Sequence, residues 1–250
     1  MMENPVLTEN ERIDDLDCNG FCIIQNPSCF CFGMDAVLLS NFTVGKPSAK
    51  VMDLGTGTGI IPLLMKAKGK GADFTGLEIQ HEMAEMASRS ILLNHVEDSC
   101  RIIEGDIKNV REMYEHGSFD IVTSNPPYIS ESSGLNNPSS SVNIARHEIL
   151  VNLEEVIAAA SYLLNSGGSF NMVHKPFRLP EIIELMKRYK LQPKRMQLVQ
   201  PFADKEPNMV LIEAVKGAGA FCKVLPTLIV RGEDGEYTKE LLKYYGKQDV

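Results

Sequence analysis

Midway along the chain an apolar run, Phe119-Asp120-Ile121-Val122-Thr123-Ser124, is stopped by Asn125, Pro126, Pro127 and Tyr128. Proline has no amide hydrogen and keeps the residue before it extended, so two in succession end a strand and fix the turn that follows. Asn125 offers a side-chain carbonyl oxygen and Pro126 a main-chain one, two acceptors on a stiff frame. Such a pair suits the nitrogen of an amide or an aromatic amine, whose lone pair is conjugated and poorly nucleophilic. Accepting both N–H hydrogens draws that nitrogen toward a tetrahedral shape and turns its lone pair outward. Acceptors held in place beforehand need no reorganisation when the substrate arrives. Tyr128 adds a ring on which a planar group can stack, worth roughly 1–3 kcal/mol for a nucleic-acid base.

A second cluster precedes it. Asp53-Leu54-Gly55-Thr56-Gly57-Thr58-Gly59 joins an apolar run, residues 50–54, to a helical pattern. Its glycines let the backbone turn tightly and let a ligand approach the main chain, and the helix start adds free amide donors. The dinucleotide fingerprint is G-x-G-x-x-G, made to seat a pyrophosphate. Here the spacing is G-x-G-x-G with an aspartate two residues before it, a carboxylate that repels a pyrophosphate and suits a cationic ligand. This D-x-G-x-G-x-G pattern resembles motif I of class I S-adenosylmethionine-dependent methyltransferases. Glu78 and Asp106 end the next two apolar runs, where acids can accept from ribose hydroxyls and from the adenine amino group.

The elements that must position these groups follow from periodicity. From residue 50, short apolar runs alternate with helical patterns, which predicts a parallel sheet with helices on both faces. Residues 152–168 read as a helix ending in paired glycines, and residues 80–96 as a helix with apolar positions 83, 84, 87, 91, 92 and 96. The last two runs, 191–201 and 207–216, have a short connection and are expected to form an antiparallel hairpin at the sheet edge. Residues 1–45 are read as an N-terminal extension, a hairpin and a helix capped by Asp35, and residues 46–250 as the main domain. The polar stretch 129–149 is expected to act as a lid, since structureless loops of such length are usually functional.

Composition bounds the rest. The 250 residues are 44 % apolar and 23 % charged, an ordinary globular balance. Apolar runs fall short of the roughly 20 residues that cross a bilayer, and the acidic start lacks a signal-peptide core, so a cytoplasmic protein without membrane contact is expected. Four of six cysteines, 18, 22, 29 and 31, cluster, but their spacing is not that of paired zinc ligands, and no metal is expected. The net charge is −8, with 10 basic and 20 acidic residues in 1–140 against 15 and 13 in 141–250. Residues 175–195 hold seven basic and two acidic side chains, either a solvated helix face or a phosphate-binding patch.

Beyond the core motifs, residues 11–16 ("ERIDDL"), residues 20–42 with their "FGMDAVLL", and "GLEIQ", "SNPPYI", "ARHEI" and "GEYTKE" together resemble the bacterial adenine-N6 methyltransferases that modify valine tRNA at adenine 37. The resemblance implies a Rossmann-like class I fold with a seven-stranded, mostly parallel sheet and an antiparallel C-terminal hairpin. It implies S-adenosyl-L-methionine held by Phe32, Gly33, Asp53, Gly55, Thr56, Gly57, Gly59, Glu78, Ile79, Asp106, Ile107 and Asn125. Asn125, Pro126, Pro127 and Tyr128 are the expected catalytic group. Arg146, His147, Lys175, Arg178, Lys194 and Arg195 are candidate tRNA contacts, with Lys216 and Lys223 beside them, and a monomer is expected. Methylation of a release-factor glutamine at N5 and of ribosomal guanine at N2 are the rival enzyme readings. A non-catalytic RNA-binding scaffold is the rival outside enzymes, against which the intact Asp53, Glu78, Asp106 and Asn125 speak.

Overall fold

A computed structural model describes residues 7–28, 31–127 and 152–246. The chain opens with β1 (Arg12–Asp15), β2 (Cys22–Gln25) and α1 (Met34–Phe42). There follow β3 (Lys50–Leu54), α2 (Ile60–Ala67), β4 (Asp73–Glu78), α3 (His81–Leu93) and β5 (Cys100–Glu104). After α4 (Val110–Met113) and β6 (Phe119–Ser124) come α5 (Leu153–Leu163), β7 (Leu164–His174), α6 (Leu179–Arg188), β8 (Leu191–Gln200) and β9 (Met209–Lys216). The short β10 (Lys223–Val224) and β11 (Leu228–Ile229) precede α7 (Lys239–Tyr244). Among the described residues, no helix is long and apolar enough to cross a membrane.

The principal strands lie in the order β5-β4-β3-β6-β7-β9-β8. β3 to β7 pair in parallel, and β9 runs antiparallel to both β7 and β8. The expected seven-stranded sheet with its antiparallel hairpin is therefore present, and β10 and β11 add two-residue parallel pairings along β8. Successive strand residues point to opposite faces. Val51, Ile121, Val173 and Leu211 enter one core with α1 and α2, while Met52, Val122, Met172 and Ile212 enter the other with α5 and α6. This two-sided burial is why the strands read as continuous apolar runs rather than alternating ones.

Three local expectations need correction. α1 begins after Gly33, its N-cap, so Asp35 lies inside the first turn rather than capping it. α5 ends at Leu163, before the paired glycines, and these belong to β7. A Cβ on Gly168 would lie 2.9 Å from Asp120 O and from Asn165 Oδ1, so the glycine permits a close approach beside the register shift between β6 and β7. On α3, Leu92 is 53 % exposed, whereas the polar Ser90 is buried. Ser90 Oγ and Asn94 Oδ1 accept from Ile24 N and Cys22 N at 2.9 and 2.8 Å, and Asn94 Nδ2 returns a bond to Cys22 O. The helix thus satisfies the open edge of β2 with side chains, a role that apolar periodicity does not encode.

The N-terminal segment is tied down twice more. Lys70 Nζ donates to the carbonyls of Ser40, Asn41 and Thr43 at 2.7–2.8 Å, closing the C-terminal end of α1. Arg89 makes two 2.7 Å bonds to the carboxylate of Glu11, a side chain only 3 % exposed, and also pairs with Glu85. The Arg89 guanidinium holds the Glu11 carboxyl down at about 2, against burial, from its usual 4.5. A depressed carboxyl stabilises the fold above its unfolded value and ceases to do so as pH falls through the folded one. Glu11→Gln is therefore expected to lower the urea midpoint at pH 7, with the gap from wild type narrowing between about pH 4.5 and about pH 2; a pH series of denaturation curves reads it.

Candidate active site

The strand order reverses at β3, whose neighbours are β4 on one side and β6 on the other. In open α/β sheets such a switch point leaves a crevice at the carboxyl ends of the strands. A cleft of ≈ 310 Å³ opens there, lined by residues that include Phe32, Gly55, Thr56, Gly57, Glu78, Ile79, Asp106, Ile107, Asn125, Pro126 and Pro127. Eleven predicted positions from five separate segments of the chain thus meet at one wall.

The glycine loop is held from beneath. Gly55 N and Thr56 N both donate to Leu77 O, at 2.9 and 3.1 Å. Gly55 and Gly57 take φ of 71° and 56°, and a Cβ on either would meet no atom within 4 Å. Their lack of side chains therefore serves a left-handed backbone and leaves the loop's open side clear for a ligand. Gly57 N donates to Glu78 Oε2 at 2.9 Å, and Gln80 N donates to Glu78 Oε1 at 2.9 Å. The carboxylate expected to face ribose hydroxyls also braces the loop, with oxygen acceptor capacity left over. Asp106 Oδ1 accepts from Lys108 N at 2.9 Å and starts the turn after β5. Ile79, 36 % exposed, and the buried Ile107 supply apolar lining beside these acids.

Asp53 stands apart. It is 1 % exposed and lies behind the loop, not on the cleft wall. Thr123 Oγ1 donates to its Oδ1 at 2.6 Å, while Oδ2 is buried without a hydrogen-bond partner, as is Thr56 Oγ1. Burial pushes the Asp53 carboxyl up to about 7, against the Thr123 and Thr56 hydroxyls, which favour its charged form. The open side of the glycine loop, where a Cβ on Gly55 or Gly57 would meet no atom within 4 Å, leaves room for the amino-acid end of a ligand, and the carboxyl behind it favours a cationic one. With Glu78 and Asp106 on the same cleft, the residues present fit S-adenosylmethionine.

The prolines take the place expected of them. Asn125 and the buried Pro126 follow β6 directly and face the cleft. Two hydroxyls in the apolar strand anchor it to its neighbour: Thr123 to Asp53, and Ser124 Oγ to Leu54 O at 2.9 Å. Two hydroxyl residues closing an otherwise apolar run are the sequence signal for this anchoring, one that motif spacing passes over. Gln80 also lines the cleft and belongs to no predicted binding position, and Asp35 lines it from the first turn of α1. Phe32 reaches it from the N-terminal hairpin: its N–H donates to Gln25 Oε1, whose amide donates to Asp14. Gly33 serves as the α1 N-cap and is not part of the cleft lining, and Gly59 caps α2.

The candidate cations divide. Lys175 and Arg178 follow β7 at the same sheet edge as Asn125, and Arg178 pairs with Glu181 at 2.8 Å. Arg195 turns inward, donating to Phe42 O and Glu213 Oε2 at 2.6 Å with its guanidinium 4.2 Å from the Phe42 ring centre. Lys194 bonds the carbonyls of Gly219 and Ala220, and Lys216 those of Ser161 and Leu164. These three side chains brace the fold away from the cleft. Tyr128, the 129–149 stretch, Arg146 and His147 lie outside the described residues.

Proteins of known description resemble the chain along most of its length. The chain is similar to the tRNA1(Val) (adenine(37)-N6)-methyltransferase of Porphyromonas gingivalis, 29 % identical over 231 residues that cover 89 % of this chain and 90 % of that protein. The enzyme of the same description from Bacteroides fragilis is 28 % identical over 86 % of this chain and 90 % of its own. Among solved structures, a predicted O-methyltransferase from Agrobacterium tumefaciens superposes with a TM-score of 0.68 at 24 % identity, over 86 % of this chain and 96 % of its own. Geranyl diphosphate C-methyltransferase from Streptomyces coelicolor, solved with S-adenosyl-L-homocysteine, reaches 0.55 at 15 % identity, covering 72 % and 76 %. The family profile described as methyltransferase small domain matches residues 23–190, and the chain belongs to that family.

Proposed function

We propose that the protein transfers a methyl group from S-adenosylmethionine to the N6 nitrogen of an adenine in tRNA, with adenine 37 of valine tRNA as the target. The observation that carries this reading is the placement of Asn125 and Pro126 on the wall of the same cleft as the glycine loop, Glu78 and Asp106. The similar enzymes from Porphyromonas and Bacteroides carry that substrate in their descriptions. S-adenosylmethionine supplies an electrophilic methyl group on a sulfonium sulfur.

Each residue then has a task. The Gly55–Gly59 loop receives the amino-acid end, with the Asp53 carboxyl behind it favouring a cationic group there, Glu78 the ribose hydroxyls and Asp106 the adenine amino group, with Ile79, Ile107 and Phe32 against the ring. The Asn125 side-chain oxygen and the Pro126 carbonyl accept the two hydrogens of the target amine and orient its lone pair. Pro126 and Pro127 keep both acceptors from relaxing. No general base is required, because the nitrogen becomes acidic once alkylated and loses its proton to solvent. Tyr128 stacks on the target base, which must leave its own stack to enter. A glutamine amide would satisfy the same acceptors, and its planar group is the second reading the clamp supports.

Asn125→Ala is expected to lower methyl transfer at least about a hundredfold, the scale of losing one preorganised polar contact to the reacting group. S-adenosylmethionine affinity should change only a few-fold, and calorimetry beside turnover separates the two. Labelled S-adenosylmethionine offered with bulk tRNA, ribosomal RNA and release factor should label tRNA and yield N6-methyladenosine on digestion. Label in glutamine or in N2-methylguanosine would replace the adenine reading.

Asp53 allows a test of opposite sign. Its folded-state pKa, about 7, lies above the usual 3.8, so the charged carboxyl costs stability as pH rises between these values. Asp53→Asn should therefore melt above wild type at pH 8 without cofactor, with the gap closing as pH falls below about 7, and should bind S-adenosylmethionine more weakly.

A further inference from the structure

Just beyond β7 the chain makes a single turn, Pro176–Arg178, before α6 begins. Phe177 stands on it, 66 % exposed. Lone exposed apolar side chains are common and need no purpose. This one differs in frame, place and company.

The frame is stiff. Pro176 sets the first backbone angle of the turn, and Arg178 N closes it by donating to Lys175 O at 3.2 Å. Lys175 N donates to Nδ1 of the buried His174 at 2.7 Å, and burial pushes that imidazole down to about 4, so it stays a neutral acceptor. The place is the sheet edge that carries Asn125. β6 and β7 pair in parallel with Ser124 opposite Met172, so the turn that follows His174 leaves the sheet at the same end as Asn125 and Pro126. The company is cationic: Lys175 precedes the ring and Arg178 follows it, the latter aligned by Glu181 at 2.8 Å.

We infer that Phe177 is a stacking platform for a nucleobase flanking the target adenine, with Lys175 and Arg178 beside it for the adjoining phosphates. This rests on the tRNA reading above. A base drawn out of its stack leaves its neighbour with one bare face, and an exposed aromatic ring on a stiff turn, flanked in sequence by two basic residues, fits that face and its backbone together. The ring is a positioning group for RNA and lies outside the residues lining the cofactor cleft.

The chain contains no tryptophan, so Phe177→Trp introduces a single tryptophan at this point, which can be excited apart from the seven tyrosines. Titrated with an anticodon stem-loop RNA, its emission should be quenched over the same concentration range in which a labelled RNA shows binding by anisotropy. Replacing the bases on either side of the target by abasic sites should remove the quenching while RNA binding persists. Phe177→Ala and Phe177→Leu should weaken RNA binding and raise KM for RNA on the order of ten- to a hundredfold, with S-adenosylmethionine affinity and melting temperature unchanged, and Phe177→Trp should retain wild-type KM. Unquenched emission at saturating RNA, or an unaltered KM in Phe177→Ala, overturns the inference alone. So does a fall in melting temperature without RNA, which would show the ring packing on the protein. Failure of the wild-type protein to bind or methylate any tRNA overturns the functional reading together with this one.

Discussion

Glu78 is the fixed point on which the site depends. Its carboxylate, 5 % exposed, accepts from Gly57 N on one oxygen and from Gln80 N on the other. A buried charge is tolerable only when hydrogen-bonded, and here the donors come from the glycine loop and from the residue that starts α3. The N-terminal end of α3 also favours a negative charge beside it. One side chain therefore sets the loop, the end of β4 and the start of α3 relative to one another. Removing it would leave two main-chain donors to find other partners, at a cost of about 1–3 kcal/mol for each buried group left unpaired.

A second link joins the cofactor half to the acceptor half. Thr123 bonds Asp53, and Ser124 bonds Leu54, so β6 reaches Asn125 already locked to β3. The chemistry asks for acceptors and methyl donor to keep their separation, and these two hydroxyls are what ties one strand end to the other. The hairpin closes the third side. It hangs on Ser90, Asn94 and Arg89 of α3 and its C-terminal end, and delivers Phe32 through Gln25. Cleft wall and hairpin thus both hang on α3, the former through Gln80 and the latter through its outward face.

Much of this was legible because the determinants are local. Alternating apolar runs specify a buried parallel sheet, and three acids at successive strand ends mark its ligand-binding edge. What escaped depends on where side chains turn. Asp53 reads as a cleft residue, yet it lies behind the loop, because a strand residue two before the turn points into the sheet's own core. Arg195 and Lys194 count as basic charge, but a guanidinium can spend its donors on a carbonyl and a carboxylate inside the fold. Ser90 breaks the apolar stripe of α3 because its partner is the edge of β2, over sixty residues away in sequence. Periodicity cannot report a partner that distant.

The two shortest strands have a bearing on solubility. β10 and β11 each contribute two residues, pairing with Arg195–Met196 and Val199–Gln200 of β8. An uncovered outer strand offers a row of amides and carbonyls to any other strand, including one from a second copy. By covering β8 in two short pieces, the chain breaks that row into lengths too short to template a new strand. The opposite edge, β5, is only five residues long, and its central Ile102 and Ile103 are bracketed by the exposed Arg101 and Glu104. A sheet this wide thus presents little unbroken edge to another strand.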